Sequence, residues 1–347
     1  YFFWVGRSCM MNNDYQEAIR TLNTLLRFDE NAFEGYFLRG IAKYNLDDLL
    51  GAEADFSTAI RMNPVYTQAY TYRAITRSRL GNYDDALQDF REAIDLRPDL
   101  PDAYYSRGYT RLQNKQYEEA IEDFDKFIFQ ENKVADAYIG RGTAYLYLKD
   151  TVRALENFDQ AIRTNRENPN GYYQRGTLLL QKEEYARAEA DFDMSIRCDS
   201  AFLPPYFNRA VVYSNTNRPM QALADFDRVL QLDSTNSFTY FNRAILRTQI
   251  GDYNRALDDF DRVALYSPGN VQVYYLRAML KTRLGDLEGA ERDYTRAIEL
   301  YPDFANAYLN RSALRYALHN PKAAKRDDEI AQRKIAEYKS HLKDSTY

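Results

Sequence analysis

The sequence has few of the side chains that most often carry chemistry in proteins. Its 347 residues include only two histidines, His319 and His341, and two cysteines, Cys9 and Cys198. Both histidines fall near the C-terminal end, so no Ser–His–Asp or Cys–His set can be assembled with them. The CxxC, HExxH, GxGxxG and phosphate-loop motifs are absent. We therefore expect no catalytic residues, no cofactor, no metal site and no enzymatic activity.

Pairs of adjacent aspartates are the main candidates for a metal site in this sequence. They occur at 47–48, 84–85, 258–259 and 327–328. Such pairs can bind a cation, but these fall where helices are predicted to begin or beside a repeated arginine. We interpret them as helix-start charges or as partners in ion pairs.

Long hydrophobic segments and an excess of basic charge are also missing. The apolar stretches fall short of the roughly 18 residues that indicate a membrane-spanning helix, and we expect no membrane span. Lys and Arg number 46 against 51 Asp and Glu, which gives a net charge of −5. Because phosphate contacts need clustered basic side chains, we expect no nucleic-acid partner.

The sequence does contain a strict repetition with a period of 34 residues. An alanine recurs at this spacing without insertion or deletion. Its ten copies are Ala18, Ala52, Ala86, Ala120, Ala154, Ala188, Ala222, Ala256, Ala290 and Ala324. A tyrosine recurs in the same register, at Tyr36, Tyr70, Tyr104, Tyr138, Tyr172, Tyr206, Tyr240, Tyr274 and Tyr308. A period of this length indicates an array of stacked repeats, each packing on its neighbours.

Each unit has the pattern of two helices joined by a short turn. Tyr253, Ala256, Phe260 and Val263 follow one another at steps of three and four residues, which is the helical period. Gly251 precedes this run, where the end of a helix favours positive φ. No segment shows the sustained alternation with period two that is typical of strands. The sequence therefore predicts an all-α fold.

This unit resembles the tetratricopeptide repeat, a helix–turn–helix module of 34 residues. The matching residues are Tyr240 and Ala244 in the first run, Ala256, Phe260 and Val263 in the second, and the closing Pro268. The resemblance covers nearly the whole chain and implies one right-handed α-solenoid, a superhelix of about ten repeats. The predicted repeats are 1–32, 33–66, 67–100, 101–134, 135–168, 169–202, 203–236, 237–270, 271–304 and 305–338, with a capping helix to about residue 342.

The repeat variant also resembles arrays from Bacteroidetes bacteria, many of which are exported to the cell envelope. This resemblance implies a periplasmic or cell-envelope location, with the cytoplasm as the alternative. The sequence begins at Tyr1, inside the first helix of a repeat. We therefore expect a segment before it, and a signal peptide is one candidate.

Arginine and acidic residues also recur in register. An arginine stands three residues after each repeated tyrosine, as Arg243 does after Tyr240. An acidic or amide residue precedes each repeated aromatic of the second run, as Asp259 precedes Phe260. Because the two charges recur in step, we interpret them as a ladder of ion pairs between helices. The alternative is a ligand-binding stripe of arginines.

In tetratricopeptide arrays the first helix of each repeat lines the concave groove. The resemblance places there the residues one, five, eight and nine positions after the repeated tyrosine, and we call this set the first-helix face. The predicted binding residues are Phe37, Tyr44, Tyr105, Tyr109, Tyr147, Tyr173, Phe207, Phe241, Gln249, Tyr275 and Arg283. Exposed apolar stripes with polar neighbours are typical of binding surfaces. The alternative is that curvature of the array buries these residues against one another.

Members of the family that bind chaperones hold a carboxylate with Lys and Asn in this groove, and this sequence lacks that set. The leading hypothesis is a non-enzymatic scaffold that binds a partner protein or an extended peptide in the groove. The alternatives are an accessory module of a larger, membrane-associated envelope complex, and a solenoid that binds glycan or RNA with its tyrosines.

Overall fold

The computed structural model of the protein describes the backbone of residues 1–344 and the side chains of residues 1–340. Over these residues the secondary structure is helical, with no strand. The helices are α1 (Phe2–Met11), α2 (Tyr15–Phe28), α3 (Phe33–Asn45), α4 (Leu49–Met62), α5 (Thr67–Arg79), α6 (Tyr83–Leu96), α7 (Pro101–Gln113), α8 (Tyr117–Gln130), α9 (Ala135–Tyr147), α10 (Thr151–Thr164), α11 (Pro169–Gln181), α12 (Tyr185–Cys198), α13 (Leu203–Asn215), α14 (Pro219–Leu232), α15 (Ser237–Gln249), α16 (Tyr253–Tyr266), α17 (Val271–Leu284), α18 (Leu287–Leu300), α19 (Ala305–Ala317) and α20 (Pro321–Asp344). Odd-numbered helices are the first helices of the repeats, and even-numbered helices are the second. The prediction of an all-α solenoid of helix–turn–helix repeats is confirmed.

Aspartate side chains begin several of the second helices. The carboxylate of Asp48 accepts a hydrogen bond of 3.0 Å from the backbone N–H of Gly51. Asp150 caps α10 in the same way through the N–H of Arg153. These N–H groups have no partner within the helix, so the cap satisfies them. Within the described residues, no group of three or more His, Cys, Asp or Glu side chains is arranged to hold a metal.

The turn inside each repeat requires a left-handed residue at the same position. Gly81, Gly251 and Gly285 adopt φ values of 82°, 85° and 85° there. Seven repeats hold the same conformation without glycine, at Asn13, Asp47, Lys115, Lys149, Glu183, Asn217 and His319, with φ between 55° and 66°. A side chain makes this conformation less favourable but does not forbid it. The turn geometry is therefore imposed by the packing of the two helices and not by glycine alone.

The repeated small and aromatic residues form the core. The repeated alanines are fully buried, and so are the repeated phenylalanines of the second helices, such as Phe56, Phe124 and Phe158. Glycines allow the first helices to approach these rings. A Cβ added to Gly140 would lie 2.5 Å from Cζ of Phe124. Close packing of this kind leaves little room for a change in side-chain volume.

A ladder of ion pairs joins the two helices of most repeats. In the repeat 237–270, Nε and Nη2 of Arg243 donate to the two carboxylate oxygens of Asp259 at 2.9 and 2.6 Å. The same two-bond pairing is found for Arg39–Asp55, Arg73–Asp89, Arg107–Asp123, Arg209–Asp225, Arg277–Asp293 and Arg311–Asp327. In one repeat Asn157 replaces the aspartate and accepts only from Nε of Arg141. The interpretation of the recurring charges as ion pairs is confirmed.

The same arginines also reach the preceding repeat through Nη1. Its acceptor lies sixteen residues earlier, on the second helix of that repeat. The pairs are Arg39–Asn23, Arg73–Ser57, Arg141–Asp125, Arg175–Asp159, Arg209–Asp193, Arg243–Asp227, Arg277–Asp261 and Arg311–Thr295. The guanidinium groups that make both sets of bonds thus hold their own helix to a second helix on either side, which suits their planar array of donors. They are those of Arg39, Arg73, Arg141, Arg209, Arg243, Arg277 and Arg311.

A second cation shares the buried aspartate in six repeats, which the sequence pattern did not reveal. It stands four residues after the ladder arginine. The shared pairs are Lys43–Asp55, Arg77–Asp89, Arg111–Asp123, Arg247–Asp259, Lys281–Asp293 and Arg315–Asp327. These aspartates therefore each meet two positive charges, which compensates the free energy lost when a carboxylate leaves water.

The chain divides into two compact units, Tyr1–Leu178 and Leu179–Tyr347. In the second unit the C-terminal helix α20 is continuous from Pro321 to Asp344, so the predicted cap belongs to the second helix of the last repeat. Ala331 of α20 is buried, whereas Tyr338 is 67% exposed. No helix within the described residues combines the length and the apolar character needed to cross a membrane.

Candidate functional site

The first-helix face carries a small cavity between consecutive first helices in each unit. In the second unit a cavity of about 210 Å³ lies between α15 and α17. Its lining residues are Ile245, Thr248, Gln249, Phe260, Leu276, Met279, Leu280 and Arg283. In the first unit a cavity of about 200 Å³ lies between α5 and α7, and its lining residues are Ile75, Ser78, Arg79, Tyr105, Ser106, Tyr109, Thr110 and Gln113. Both cavities are lined by the residues that stand five, eight and nine positions after the repeated tyrosine of the earlier helix.

Aromatic residues directly after the repeated tyrosine turn inward and pack on the second helices. Phe37 is buried, with its ring 5.8 Å from Phe56 and 4.9 Å from Tyr66. Tyr105 is half-buried, and its ring lies 4.9 Å from that of Phe127. These rings pack against the second helix or the closing loop of their own repeat, so their area for direct contact with a partner is small.

The second unit repeats this arrangement. Phe207 lies 5.5 Å from Phe226, and Phe241 lies 6.2 Å from Phe260. The ring of Tyr275 lies 4.7 Å from that of Phe304, and its hydroxyl accepts a hydrogen bond of 3.0 Å from Nδ2 of Asn310. Six predicted binding residues, Phe37, Tyr105, Tyr109, Phe207, Phe241 and Tyr275, are therefore buried or half-buried by neighbouring side chains. At these six positions the structure agrees with the alternative interpretation, in which the predicted residues are buried against neighbouring side chains.

Tyr109 is held in place by both its ring and its hydroxyl. The ring lies 5.0 Å from Tyr105 and 5.1 Å from Phe124, in edge-to-face contacts. The hydroxyl donates to the backbone carbonyl of Asp136 at 2.7 Å. Burial raises the pKa of Tyr109, and the nearby Tyr105 and Asp136 raise it further. This phenol forms part of the wall of the cavity and stays protonated over the physiological range.

Other predicted residues remain accessible. Tyr147 is 58% exposed and stacks on Tyr117, with ring centroids 4.8 Å apart and planes at 8°. Gln249 and Arg283 are exposed at the rim of the cavity between α15 and α17. Tyr173 is half-buried on α11. Tyr147, Gln249 and Arg283 are the predicted residues that offer the most open contact.

Stacked cations border the first-helix face. The guanidinium of Arg283 lies over the ring of Tyr253 at 4.6 Å. The guanidinium of Arg79 lies over Tyr44 at 4.8 Å, and it also pairs with Asp47 at 2.7 Å. The guanidinium over Tyr44 orders its ring, and Asp47 balances the positive charge of that guanidinium.

The structure adds residues that the sequence prediction left out of the binding set. Met279 is 45% exposed in the cavity between α15 and α17. Ser78 donates to the side-chain oxygen of Gln113 at 3.0 Å across the cavity of the first unit. The predicted set contains no residue of the repeat 67–100, in which Thr71 stands directly after Tyr70. Its positions five, eight and nine residues after Tyr70 could have been found from the register alone.

Alkaline pH is expected to weaken the first unit through Tyr66, which packs on Phe33 and Phe37. Burial raises the pKa of this phenol from 10.0 to about 12, with a smaller contribution from Glu34. The folded chain therefore holds the proton more tightly than the unfolded chain. This stabilisation is complete below the unfolded pKa and is lost as the pH rises from about 10 towards about 12.

The measurement is urea unfolding followed by circular dichroism at several pH values in that range, for wild type and Tyr66→Phe. The variant lacks the titrating hydroxyl, so its free energy of unfolding should fall less steeply. Tyr147→Phe, at an exposed position, is the matched control and should follow the wild type. Equal pH dependence in all three proteins would show that Tyr66 contributes nothing to alkaline unfolding.

Comparison with known families agrees with this architecture. Residues 77–115 match the family described as TPR repeat, and residues 139–201 and 271–304 match families described as tetratricopeptide repeat. The matched segments fall on helix pairs of the same period as the rest of the chain. The chain is a tetratricopeptide repeat protein.

Solved structures share the fold at low sequence identity. A tetratricopeptide repeat protein from Parabacteroides merdae is 19% identical with a TM-score of 0.55, over 72% of this chain and 98% of that one. The C-terminal part of a TPR repeat-containing protein from Cytophaga hutchinsonii is 22% identical with a TM-score of 0.52, over 68% and 97%. PilF from Pseudomonas aeruginosa is 21% identical with a TM-score of 0.53, over 58% and 92%. A search of curated protein sequences finds no match.

Proposed function

We propose that this protein is a non-enzymatic scaffold that binds a partner protein or an extended peptide along the first-helix face. The observation that carries the proposal is the pair of equivalent cavities on that face, one in each unit. Each is lined by apolar side chains and by amides or hydroxyls, which is the usual composition of a site for a side-chain anchor. Tetratricopeptide repeats indicate a role in protein–protein interaction, and the two cavities support the first-helix face as the surface for it.

The chemistry of the cavity between α15 and α17 suits an apolar anchor on an extended segment. Met279 and Ile245 provide a flexible, apolar lining that can adapt to several side chains. Thr248 and Gln249 lie at the same site with polar groups that can bind the backbone of a peptide. The small volume favours one side chain per cavity, so affinity would come from several repeats acting together.

The test is a comparison of capture from lysate of the source cells by wild type and by Met279→Lys/Gln249→Ala. The double variant places a charge in the cavity and removes an amide without touching the buried core. Leu265→Lys is the control, since Leu265 is 65% exposed on the second helix α16 and lies off the first-helix face. Captured proteins are identified by mass spectrometry, and folding is checked by circular dichroism.

A protein that is captured by wild type and by Leu265→Lys, and lost by the double variant, supports the proposal. A partner that all three proteins capture equally contradicts the placement on this face. Captured material that resists protease but is removed by ribonuclease or glycosidase contradicts a protein partner. That result would favour the alternative of a glycan-binding or RNA-binding solenoid.

We also propose a periplasmic or cell-envelope location, where the protein could serve as a module of a larger complex. The resemblance of the repeats to exported Bacteroidetes arrays supports this location. Fractionation of the source cells, followed by detection with an antibody, tests it. Recovery of the protein with cytoplasmic markers would contradict the proposal and leave the scaffold function unaffected.

A further inference from the structure

One seam of the ladder departs from all others. In eight of the nine ladder arginines, Nη1 donates to an acceptor sixteen residues earlier. At Arg107 that position is Arg91, a cation that can accept no hydrogen bond. Nη1 of Arg107 makes no hydrogen bond in the described structure, although its side chain is only 9% exposed. A donor that the rest of the array satisfies is therefore left open here.

This open donor lines a cavity of about 320 Å³ in the first unit. The lining residues are Asp84, Leu87 and Arg91 of α6, Arg107 and Arg111 of α7, Gln116 before α8, and Glu119 of α8. Arg91 is exposed and makes no ion pair with any described residue. The amide of Gln116 makes no side-chain hydrogen bond to the start of α8, so it can also face a ligand.

The charge of this seam differs from that of its counterparts. In the repeat 237–270, Arg243 and Arg247 are balanced by Asp259 and Asp227. At the exceptional seam, Arg107 and Arg111 share Asp123, and Arg91 takes the place of the second carboxylate. The position sixteen residues before the ladder arginine is thus positively charged at this seam, whereas five of the eight others have an aspartate there. An added anion would restore the missing acceptor.

We propose that this cavity binds a carboxylate group, held by Nη1 of Arg107 and the guanidinium of Arg91. Planar guanidinium groups match the two oxygens of a carboxylate. Asp84 and Glu119 at the rim add negative charge, so they favour a ligand with a single charge over a dianion such as phosphate. The cavity admits an acidic side chain or a small carboxylic acid. The site lies apart from the first-helix face, and it does not depend on the function proposed there.

The test measures binding of the capped peptide acetyl-Gly-Glu-Gly-amide at low ionic strength by ligand-detected NMR. The matched peptide with Gln in place of Glu is the negative probe. Sodium acetate is the arm for a free acid, and inorganic phosphate is the arm for a dianion. We expect the Glu peptide to bind at least about tenfold more tightly than the Gln peptide, because the charged contact is lost. Tighter binding of acetate than of the Glu peptide would identify a free acid as the better ligand.

Two substitutions locate the site. Arg91→Asp supplies the acceptor that five other seams possess, so it should abolish binding while leaving the melting temperature equal to or above that of wild type. Arg292→Asp, at an exposed position of α18, makes the same change in charge elsewhere and should leave binding unchanged. Asp227→Arg should create binding beside Arg243 and Arg247.

Several outcomes would overturn the proposal. Equal binding by wild type and Arg91→Asp would place any carboxylate elsewhere. Equal affinities for the Glu and Gln peptides would rule out recognition of the charge. Phosphate that binds more tightly than the Glu peptide and acetate would reject the choice of a singly charged carboxylate.

Discussion

Phe124→Ala is expected to lower the free energy of unfolding by about 3–5 kcal/mol, the range found for loss of a buried aromatic ring. Phe124 is fully buried, and its ring lies against Tyr105, Tyr109 and the close-packed Gly140. Alanine would leave a cavity that the rigid helices cannot close. The same ring supports the wall of the cavity between α5 and α7, so this part of the first-helix face should loosen as well.

Phe129→Ala is the control, on the same helix α8. Phe129 is 91% exposed, so its removal should change the free energy of unfolding by less than about 0.5 kcal/mol. Urea unfolding followed by circular dichroism gives the overall change, and amide hydrogen exchange of α7 and α8 gives the local one. Both are needed because repeat arrays can unfold in parts. Similar losses from the two substitutions would contradict the assignment of Phe124 to the core.

Asp259→Ala is expected to lower the free energy of unfolding by about 3–5 kcal/mol at neutral pH, as in other buried ion pairs from which one partner is removed. Asp259 is 2% exposed and accepts from both Arg243 and Arg247. Its loss would leave two guanidinium groups in a poorly solvated seam without their shared counter-charge. The measurement is again urea unfolding, with hydrogen exchange of α15 and α16.

The neighbouring Asp258 provides a matched control, because it is exposed on the same helix and Asp258→Ala removes an equal charge. Its effect should stay within about 0.5 kcal/mol. Asp259→Asn should fall between the two, since Asn157 keeps one hydrogen bond from Arg141 at the equivalent position. Equal effects of Asp258→Ala and Asp259→Ala would show that the ladder contributes little to stability.

Many features of this molecule could be predicted because they follow from local rules. The spacing of Tyr253, Ala256 and Phe260 indicates a helix with an apolar stripe whatever lies against it. An arginine and an aspartate sixteen residues later, such as Arg243 and Asp259, recur together in most repeats, which indicates that the two meet. Three turn glycines marked a position that adopts positive φ in every repeat, including seven where another residue stands. Because the period is strict, a structural inference made for one repeat applies to the equivalent residues of the others.

The binding face was harder to predict, because the exposure of a residue depends on its neighbours in space. Phe207 and Tyr147 both belong to the predicted set, yet Phe207 packs on Phe226 and Phe238 while Tyr147 is 58% exposed. Their positions within the repeat differ, and only the approach of adjacent helices decides which rings are covered. The lack of a hydrogen-bond acceptor for Nη1 of Arg107 likewise becomes visible only when the equivalent hydrogen bonds of the other repeats are compared with it.

The sequence by itself determined the helical repeat, its register and the ion-pair partners within a repeat. These features depend on the 3.6-residue period and on charges that recur with the repeat. Both patterns are visible in the order of the residues alone. The tertiary structure decided which aromatics form cavity walls, which aspartates serve two cations and where the ladder lacks an acceptor. These depend on distances between side chains of different helices, and such distances are set by how the helices pack.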